Sequence, residues 1–315
     1  MVPVSLIFQE GGGLMEVNAG ISRVAIIGNG MLGTQIALLS RYRGFDVYLF
    51  DEMSNIFEET IEKYRADFVA KGLESSIPLN EWDDLRDSCV KCDSIEKAVE
   101  TADLVIEAVP ENLEVKNKVF NIIGAYAPQY AILATNSSSM PVSRIEESSG
   151  YPERCLNIHF YQILSGMNMA DVMAGTKTRP EIFGKGIEWV KALKCLPLKV
   201  KKELLGFCFN RVWRAIKKET LYMWGNSFVD FHDVDKAWMI FTGMNVGPFG
   251  IMDTVGLDTV HNIEMVYYEE SKDPKDIPPV ALKQKIEKGE LGVKSGKGFY
   301  TYPNPEYSNP DFLKM

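Results

Sequence analysis

Glycines at 28, 30 and 33 stand between an apolar run, Val24-Ala25-Ile26-Ile27, and a helically spaced stretch, Met31-Leu32-Gly33-Thr34-Gln35-Ile36-Ala37. The pattern reads as a buried strand, a tight turn and a helix. Gly28 suits the turn. Gly30 lets backbone approach a pyrophosphate with no Cβ in the way, and Gly33 lets the helix pack close to the strand. The first N–H groups of that helix, at Met31 and Leu32, then face the anion. A second strand, Asp46-Val47-Tyr48-Leu49-Phe50, follows, with Asp51 at its end. A carboxylate there accepts hydrogen bonds from both hydroxyls of an adenosine ribose and repels a 2′-phosphate, so the expected cofactor is NAD rather than NADP.

Oxidising a secondary alcohol with such a cofactor also needs a base that titrates near neutrality, and histidine meets that need without strong perturbation. The chain has 3 histidines. His232 lies in Asp230-Phe231-His232-Asp233, a turn that opens a helix, and His261 follows Val260 inside a helix. His159 instead ends the apolar run Cys155-Leu156-Asn157-Ile158-His159-Phe160. That places it at a sheet edge, as the candidate general base and acid.

The whole chain bounds these readings. At 315 residues it can bury a large core and is expected to split into two domains. A net charge of -9 gives no electrostatic case for nucleic acid or an anionic membrane, so the expected partners are a small-molecule substrate and copies of itself. No run approaches the roughly eighteen apolar residues of a membrane span. The first twenty positions carry no Lys or Arg, and Gly11-Gly12-Gly13 reads as a flexible lead-in, with Met15 a plausible native start. Cys89-Val90-Lys91-Cys92 has metal-like spacing but no second pair and no nearby histidine. The cysteines therefore read as free thiols in a reducing compartment, no metal site is expected, and a cytoplasmic enzyme is the default.

The elements that must position the glycine turn and the histidine follow from periodicity. After Asp51, Ile56, Phe57, Thr60, Ile61, Tyr64 and Phe68 share a helical face that ends at Gly72, and a shorter helix follows Pro78. This helical hairpin is inserted into the βαβ pattern and is acidic. Further strands are read at Ala102-Asp103-Leu104-Val105-Ile106-Glu107-Ala108-Val109, at Ala131-Ile132-Leu133-Ala134-Thr135 and at the run ending in His159. A helix between the first two carries Val115, Val119, Phe120 and Ile123 on one face. Strands alternating with helices predict an α/β, doubly wound, Rossmann-like parallel sheet with ligands beyond the carboxyl ends of its strands. Past Pro180 a helix over 182–193 and a short strand over 196–200 precede a stretch that is helical throughout. There Phe207, Val212, Ala215, Ile216 and Leu221, then Ala237, Met239, Ile240 and Phe241, form wide apolar faces that suit a dimer seam or internal packing. The expected organisation is an extension over 1–20, an NAD-binding domain over 21–203 and an all-helical domain over 204–315, the latter serving the substrate cleft and dimerisation.

The order of motifs resembles the 3-hydroxyacyl-CoA dehydrogenase family over residues 22–302. The matching pieces are Gly28-Asn29-Gly30-Met31-Leu32-Gly33, the strand through Glu107-Ala108 with Glu111-Asn112 and Lys116, and Asn136-Ser137-Ser138-Ser139. They continue with His159-Phe160, Gly206-Phe207-Cys208-Phe209-Asn210-Arg211, Gly247-Pro248-Phe249 through Asp253 to Gly256-Leu257-Asp258, and Gly292-Val293-Lys294-Ser295-Gly296-Lys297-Gly298-Phe299-Tyr300. Within the family, Ala134-Thr135-Asn136-Ser137-Ser138 and Thr176-Lys177-Thr178 look closest to diketoreductase-like members acting on free β-oxo or β-hydroxy compounds.

The resemblance implies an NAD-dependent enzyme in which Asp171 backs His159, Ser138 and Asn210 hydrogen-bond the oxygen that becomes the ketone, and the site lies between the two domains. Glu111, Lys116, Asn136 and Lys294 resemble cofactor-contacting positions. Two departures stand out. Asp171 occupies the place of a family glutamate, so either the backbones are closer or the pair is looser. Tyr161-Gln162-Ile163-Leu164 replaces the Asn-Pro loop that follows the His-Phe pair in most members using CoA. That loop and the acidic hairpin, which would repel the phosphates of CoA, keep two substrates open: a 3-hydroxyacyl-CoA, and a free β-hydroxy or β-keto acid or ester. Lys63, Arg65 and Lys71 are the hairpin cations that could serve CoA. A third reading is a weakly active or non-catalytic NADH-binding protein, like the lens crystallins of the family.

Overall fold

The computed structural model describes residues 20–161, 164 and 168–314, with Lys71 described in its backbone alone. The expected extension up to residue 19, Met15 included, and Gln162 and Ile163 lie outside the described residues. The chain divides into two compact units, the first ending at Cys208 and the second beginning at Phe209.

In the first unit the apolar runs become β1 (Arg23–Ile27), β2 (Asp46–Phe50), β4 (Leu104–Glu107), β5 (Ile132–Thr135), β6 (Cys155–Phe160) and β8 (Leu196–Val200). Two further strands join them, β3 (Val90–Lys91) and β7 (Met169–Ala174), in a single sheet of order β3-β2-β1-β4-β5-β6-β7-β8. Every neighbouring pair is parallel except β6 and β7, which run antiparallel. The sheet is therefore mostly parallel rather than wholly so, and the antiparallel pair is the part that periodicity does not foresee.

Alternation along β1 shows how both faces are covered. Val24 and Ile26 join a core with α1 (Met31–Tyr42), α2 (Ile56–Lys71), α3 (Trp82–Asp87) and α6 (Pro180–Ala192). Ala25 and Ile27 join the opposite core with α4 (Ile95–Val99) and α5 (Leu113–Tyr126). Strands buried on both faces read as continuous apolar runs, which is why they stand out in the sequence.

The inserted hairpin forms as its spacing predicts. Helix α2 stops at Gly72, whose φ of 58° is left-handed. Trp82, at the start of α3, is wholly buried, donates from its indole N–H to the Ile77 carbonyl at 3.2 Å and meets Phe68 edge-on at 5.8 Å. The Tyr64 hydroxyl donates to the Met31 carbonyl at 3.1 Å, fastening the hairpin to the first turn of α1.

The second unit is helical, with α7 (Phe209–Gly225), α8 (Phe231–Thr242), α9 (Pro248–Val255), α10 (Leu257–Ser271) and α11 (Val280–Glu287). One expectation is corrected here. Phe207 is not on the α7 face; it precedes the helix with a φ of 53°, left-handed for a bulky residue. Of the apolar positions assigned to wide faces, Leu221 and Met239 are buried, whereas Val212, Ile240 and Phe241 are exposed.

Two buried aspartates tie this unit together. Asp235 accepts from the N–H groups of Phe249 and Gly250, at 2.9 and 3.0 Å, and from the Tyr300 hydroxyl at 2.9 Å. Burial pushes its carboxyl up to about 6, against the pull of those donors. Asp253 accepts from the N–H groups of Phe299 and Tyr300, both at 2.9 Å, and from the Tyr302 hydroxyl at 3.1 Å. A Cβ at Gly298 would lie 2.1 Å from Asp253 Oδ1, so glycine is the residue that admits this approach. The Gly-Pro-Phe and Gly-Phe-Tyr motifs are thus latches that pin the C-terminal segment onto α8 and α9.

Replacing Asp253 with alanine leaves two buried N–H groups and a hydroxyl unpaired, and should cost about 3–5 kcal/mol of unfolding free energy. Urea unfolding measures this, and a loss below ~1 kcal/mol would contradict the latch. All five cysteines are free thiols. Burial pushes Cys89 and Cys155 up to about 12 and Cys195 to about 11, whereas Cys208 is exposed. A disulfide reagent at about pH 8 should therefore modify Cys208 first and reach Cys89, Cys155 and Cys195 only after unfolding, as peptide mapping by mass spectrometry would report.

Candidate active site

The glycine turn lies where β1 ends and α1 begins. Gly28 has a φ of 99°, and a Cβ there would lie 2.7 Å from the Ala108 carbonyl carbon; a Cβ at Gly33 would lie 1.8 Å from the Gly28 carbonyl oxygen. These two glycines are demanded by the protein's own backbone. Gly30 is different, since a Cβ there meets nothing within 4 Å. It opens α1, no side chain caps that helix, and the N–H groups of Met31 and Leu32 start its first turn. An uncapped helix start with an unobstructed glycine fits a pyrophosphate. Asp51, one residue past β2, accepts from the Asn29 N–H at 2.6 Å and the Met53 N–H at 2.9 Å. Both bonds orient its carboxylate beside the turn, where it suits a ribose diol. The residues present therefore fit NAD.

At the ends of β4 and β5 the central group is Glu107, a residue that the sequence reading passed over. It is fully buried and accepts from Lys116 Nζ at 2.7 Å, the Thr135 hydroxyl at 2.7 Å and the Val109 N–H at 2.8 Å. Burial pushes its carboxyl up, opposed by Lys116 and Thr135. Its signal in the sequence is an acid inside an otherwise apolar strand. Lys116, buried in turn, also donates to the Val109 carbonyl at 3.2 Å and lies 3.2 Å from Glu111.

Glu111 organises the serine loop. Its Oε1 accepts from the Ser137 hydroxyl at 2.5 Å, the Ser139 hydroxyl at 2.7 Å and the Ser139 N–H at 3.0 Å. Burial alone would raise this carboxyl, but Ser137, Lys116 and Ser139 together hold it below the usual carboxylate range. Ser138 is the serine left exposed, with no hydrogen bond of its own among the described residues. Asn136 Oδ1 accepts from the Phe160 N–H at 2.8 Å, coupling the end of β5 to the end of β6.

His159 sits near that end. Register pairs it directly with Asp171 across the antiparallel β6 and β7 strands. Sheet geometry fixes the distance between the two backbones, so the shorter acid is not compensated by a closer strand. His159 Nδ1 lies 3.4 Å from Asp171 Oδ2, a long hydrogen bond. Asp171 is wholly buried and accepts more closely from the Tyr161 hydroxyl, at 2.6 Å on Oδ2, and from the Cys208 N–H, at 3.1 Å on Oδ1. Phe207 stacks on the imidazole at 5.0 Å and 14°, and Tyr161 meets it edge-on at 4.6 Å. Phe207 makes this contact from a left-handed backbone. Strain of this kind, outside glycine, gathers at functional sites.

Gly28, Gly30, Asp51, Glu111, Asn136, Ser138 and His159 thus all belong to the ends of parallel strands, or to the loops leaving them. Asn210 and Lys294 belong to the second unit. Asn210 is in the first turn of α7, and Lys294 is held by Asp258 at 2.6 and 2.7 Å. The other two histidines have different surroundings. His232 bridges Asp230 and Glu306 at 2.7 and 2.8 Å, and His261 lies within α10. Among the described residues, no group of three or more His, Cys, Asp or Glu side chains could hold a metal ion. No described helix is long and apolar enough to cross a membrane.

Comparison with known proteins covers both units. A family model described as 3-hydroxyacyl-CoA dehydrogenase, NAD binding domain, matches residues 23–204, and one described as 3-hydroxyacyl-CoA dehydrogenase, C-terminal domain, matches residues 206–302. The chain is similar to the 5-formyl-3-hydroxy-2-methylpyridine 4-carboxylate 5-dehydrogenase of Mesorhizobium japonicum, at 30% identity over 90% of this chain and 91% of the relative. It is also similar to the mitochondrial hydroxyacyl-coenzyme A dehydrogenase of Homo sapiens, at 28% identity over 90% of this chain and 91% of the relative. Among solved structures, a diketoreductase described for substrate-directed dual catalysis of dicarbonyl compounds superposes with a TM-score of 0.79 at 32% identity, over 90% of this chain and 99% of that one.

The buried Lys116–Glu107 pair makes a separable prediction. Lys116→Met strands a carboxylate in the core and should lower unfolding free energy by about 3–5 kcal/mol at about pH 8. A carboxyl whose folded-state pKa is raised favours folding below that pKa and loses this advantage as pH rises through it. The deficit should therefore be smaller at about pH 5 than at about pH 8, because burial raises this carboxyl and acidification favours its protonated form. Denaturant unfolding at both pH values checks this, and a deficit that grows on acidification would refute it.

Proposed function

Because the chain belongs to the 3-hydroxyacyl-CoA dehydrogenase family and is an NAD-dependent oxidoreductase, we propose that it interconverts a 3-hydroxyacyl and a 3-oxoacyl group with His159 as general base and acid. The observation that carries this reading is the direction of the imidazole's bonds. Nδ1 faces Asp171, which leaves Nε2 for the substrate hydroxyl. An Nδ1–H donated to the carboxylate fixes the tautomer in which Nε2 is the acceptor. NAD, when bound, supplies the acceptor for the hydride that leaves the hydroxyl-bearing carbon. His159 takes the hydroxyl proton during oxidation and returns it during reduction, and Asp171 stabilises the imidazolium between. The exposed Ser138 hydroxyl and Asn210 hydrogen-bond the oxygen that becomes the ketone.

The cofactor assignment follows the same geometry. Gly30 with the N–H groups of Met31 and Leu32 would take the pyrophosphate, Gly28 and Gly33 would let the turn and helix form around it, and Asp51 would take the adenosine ribose. Glu111, Asn136 and Lys294 contact the cofactor, and Lys116 acts by holding Glu107 and Glu111.

A 3-hydroxyacyl-CoA is the leading substrate. A free β-hydroxy or β-keto acid or ester is the second reading, and the hairpin's ion pairs favour it. Arg65 is held by Asp83 at 2.9 Å, Arg86 by Asp83 and Asp87 at 2.8 Å, and Lys91 by Glu58. Arg65 and Arg86 are thus already paired within the hairpin, and Lys91, on β3, is paired with it, which leaves less positive charge for the phosphates of CoA. A homodimer in the cytoplasm completes the reading. Phe241 is 90% exposed and Phe228, Ile240 and Val212 are exposed as well, apolar side chains that a second copy of the chain would suit. The free thiols suit a reducing compartment.

NADH oxidation with acetoacetyl-CoA, beside a free β-keto ester, tests the reading and separates the two substrates. His159→Ala should lower kcat/KM by about 10²- to 10⁴-fold while NADH binding, followed by fluorescence, persists. Unchanged turnover in that variant would remove His159 from the mechanism, and inactivity of the wild type with both substrates would overturn the reading.

A further inference from the structure

We infer that Tyr161 is a positioning residue of the proton relay: its hydroxyl holds the shortened acid Asp171 and shares that carboxylate with His159. This rests on the dehydrogenase reading above. Tyr161 follows β6 and stands two residues beyond His159, on the same side of the strand, so both side chains reach the one carboxylate that β7 presents. Asp171 Oδ2 receives the phenol at 2.6 Å and the imidazole at 3.4 Å, while Oδ1 receives the Cys208 N–H at 3.1 Å. The acid has no exposed surface, so these donors, rather than water, set its orientation.

Among the described residues, the titratable side chains recorded against the imidazole are Asp171 from β7 and Tyr161 from the end of β6; Phe207, stacked on it, is uncharged, and Cys208 meets Asp171 through its backbone N–H. Because a short O–H bond draws on the charge of Oδ2, the carboxylate grips an imidazolium less firmly than it would alone. Tyr161 therefore does two things. It supplies the fixation that an aspartate across a strand pair cannot obtain from a 3.4 Å contact, and it keeps His159 a weaker proton acceptor than a pair without the phenol.

The test is the pH dependence of kcat/KM for alcohol oxidation, whose acidic limb reports neutral His159. Tyr161→Phe frees Oδ2 for the imidazole, and the limb should move up by about 0.5–1 pH unit, with NADH affinity within about twofold of wild type. A Tyr161→3-fluorotyrosine substitution, a stronger donor of nearly the same size, should move the limb down, and it serves if the phenylalanine variant folds poorly. Asp171→Glu should be tolerated better in the Tyr161→Phe background than alone, because the longer acid then meets His159 without a competing phenol. An NMR titration of His159 in the cofactor-free protein should show the same shifts without any turnover. A limb and an NMR titration that superimpose on those of the wild type in both Tyr161 variants would overturn the inference. Absent turnover in the wild type would overturn the dehydrogenase reading, which the NMR titration distinguishes from a failure of the Tyr161 role.

Discussion

The site depends on the antiparallel pairing of β6 with β7. Antiparallel register sets which side chains face each other, and a slip of one residue would turn Asp171 to the opposite face of the sheet. Both strands are buried on both faces, so apolar alternation cannot choose the register by itself. Polar anchors at the far end do so. The Thr178 hydroxyl donates to the Cys155 carbonyl at 2.5 Å and accepts the Gly175 N–H at 2.7 Å, and Thr176 bonds Glu146 through both its N–H and its hydroxyl. These contacts align the start of β6 with the end of β7, and from there the register runs to His159 and Asp171.

Two carboxylates, the buried Glu107 and the more exposed Glu111, do most of the remaining positioning in the first unit. Glu107 fixes Lys116 and the end of β5, Glu111 takes the outer two serines of the loop, and Ser138 is left exposed, with no hydrogen bond among the described residues. Each acid is met by several donors, which for the wholly buried Glu107 is what a charge out of reach of water requires. The same economy governs the second unit, where Asp235 and Asp253 hold backbone N–H groups and tyrosine hydroxyls rather than ligands. Sequence motifs of similar appearance thus have different work. The glycines of the first turn serve an anion and a close helix, whereas Gly298 makes room for a structural aspartate.

The chain's distribution of charge separates recognition from stability. In the hairpin the arginines face their own carboxylates at partly exposed positions, where such pairs contribute little to folding. Their consequence is for ligands, because a cation already paired offers a phosphate less. The hairpin itself is held by apolar contacts and by the edge-on pair of aromatic rings at Phe68 and Trp82.

Much of this was legible from residue order. The strands buried on both faces announced themselves as apolar runs, the glycine spacing with Asp51 marked a dinucleotide turn, and His159 stood out because its strand ended at it. Other features were not readable in that way. β3 is two residues long, and β7, Met-Ala-Asp-Val-Met-Ala, carries little β-branched character and no sign of its direction. Periodicity reports which residues share a face but not which strand lies beside them or which way it runs. For that reason Asp171 could be placed near His159 only by resemblance, and the hold of Tyr161 on its carboxylate, the ring of Phe207 against the imidazole and the bond of Thr135 to Glu107 emerge only once separate segments are packed together. Local spacing determines elements and turns, while contacts between side chains far apart in the chain are decided by register and packing.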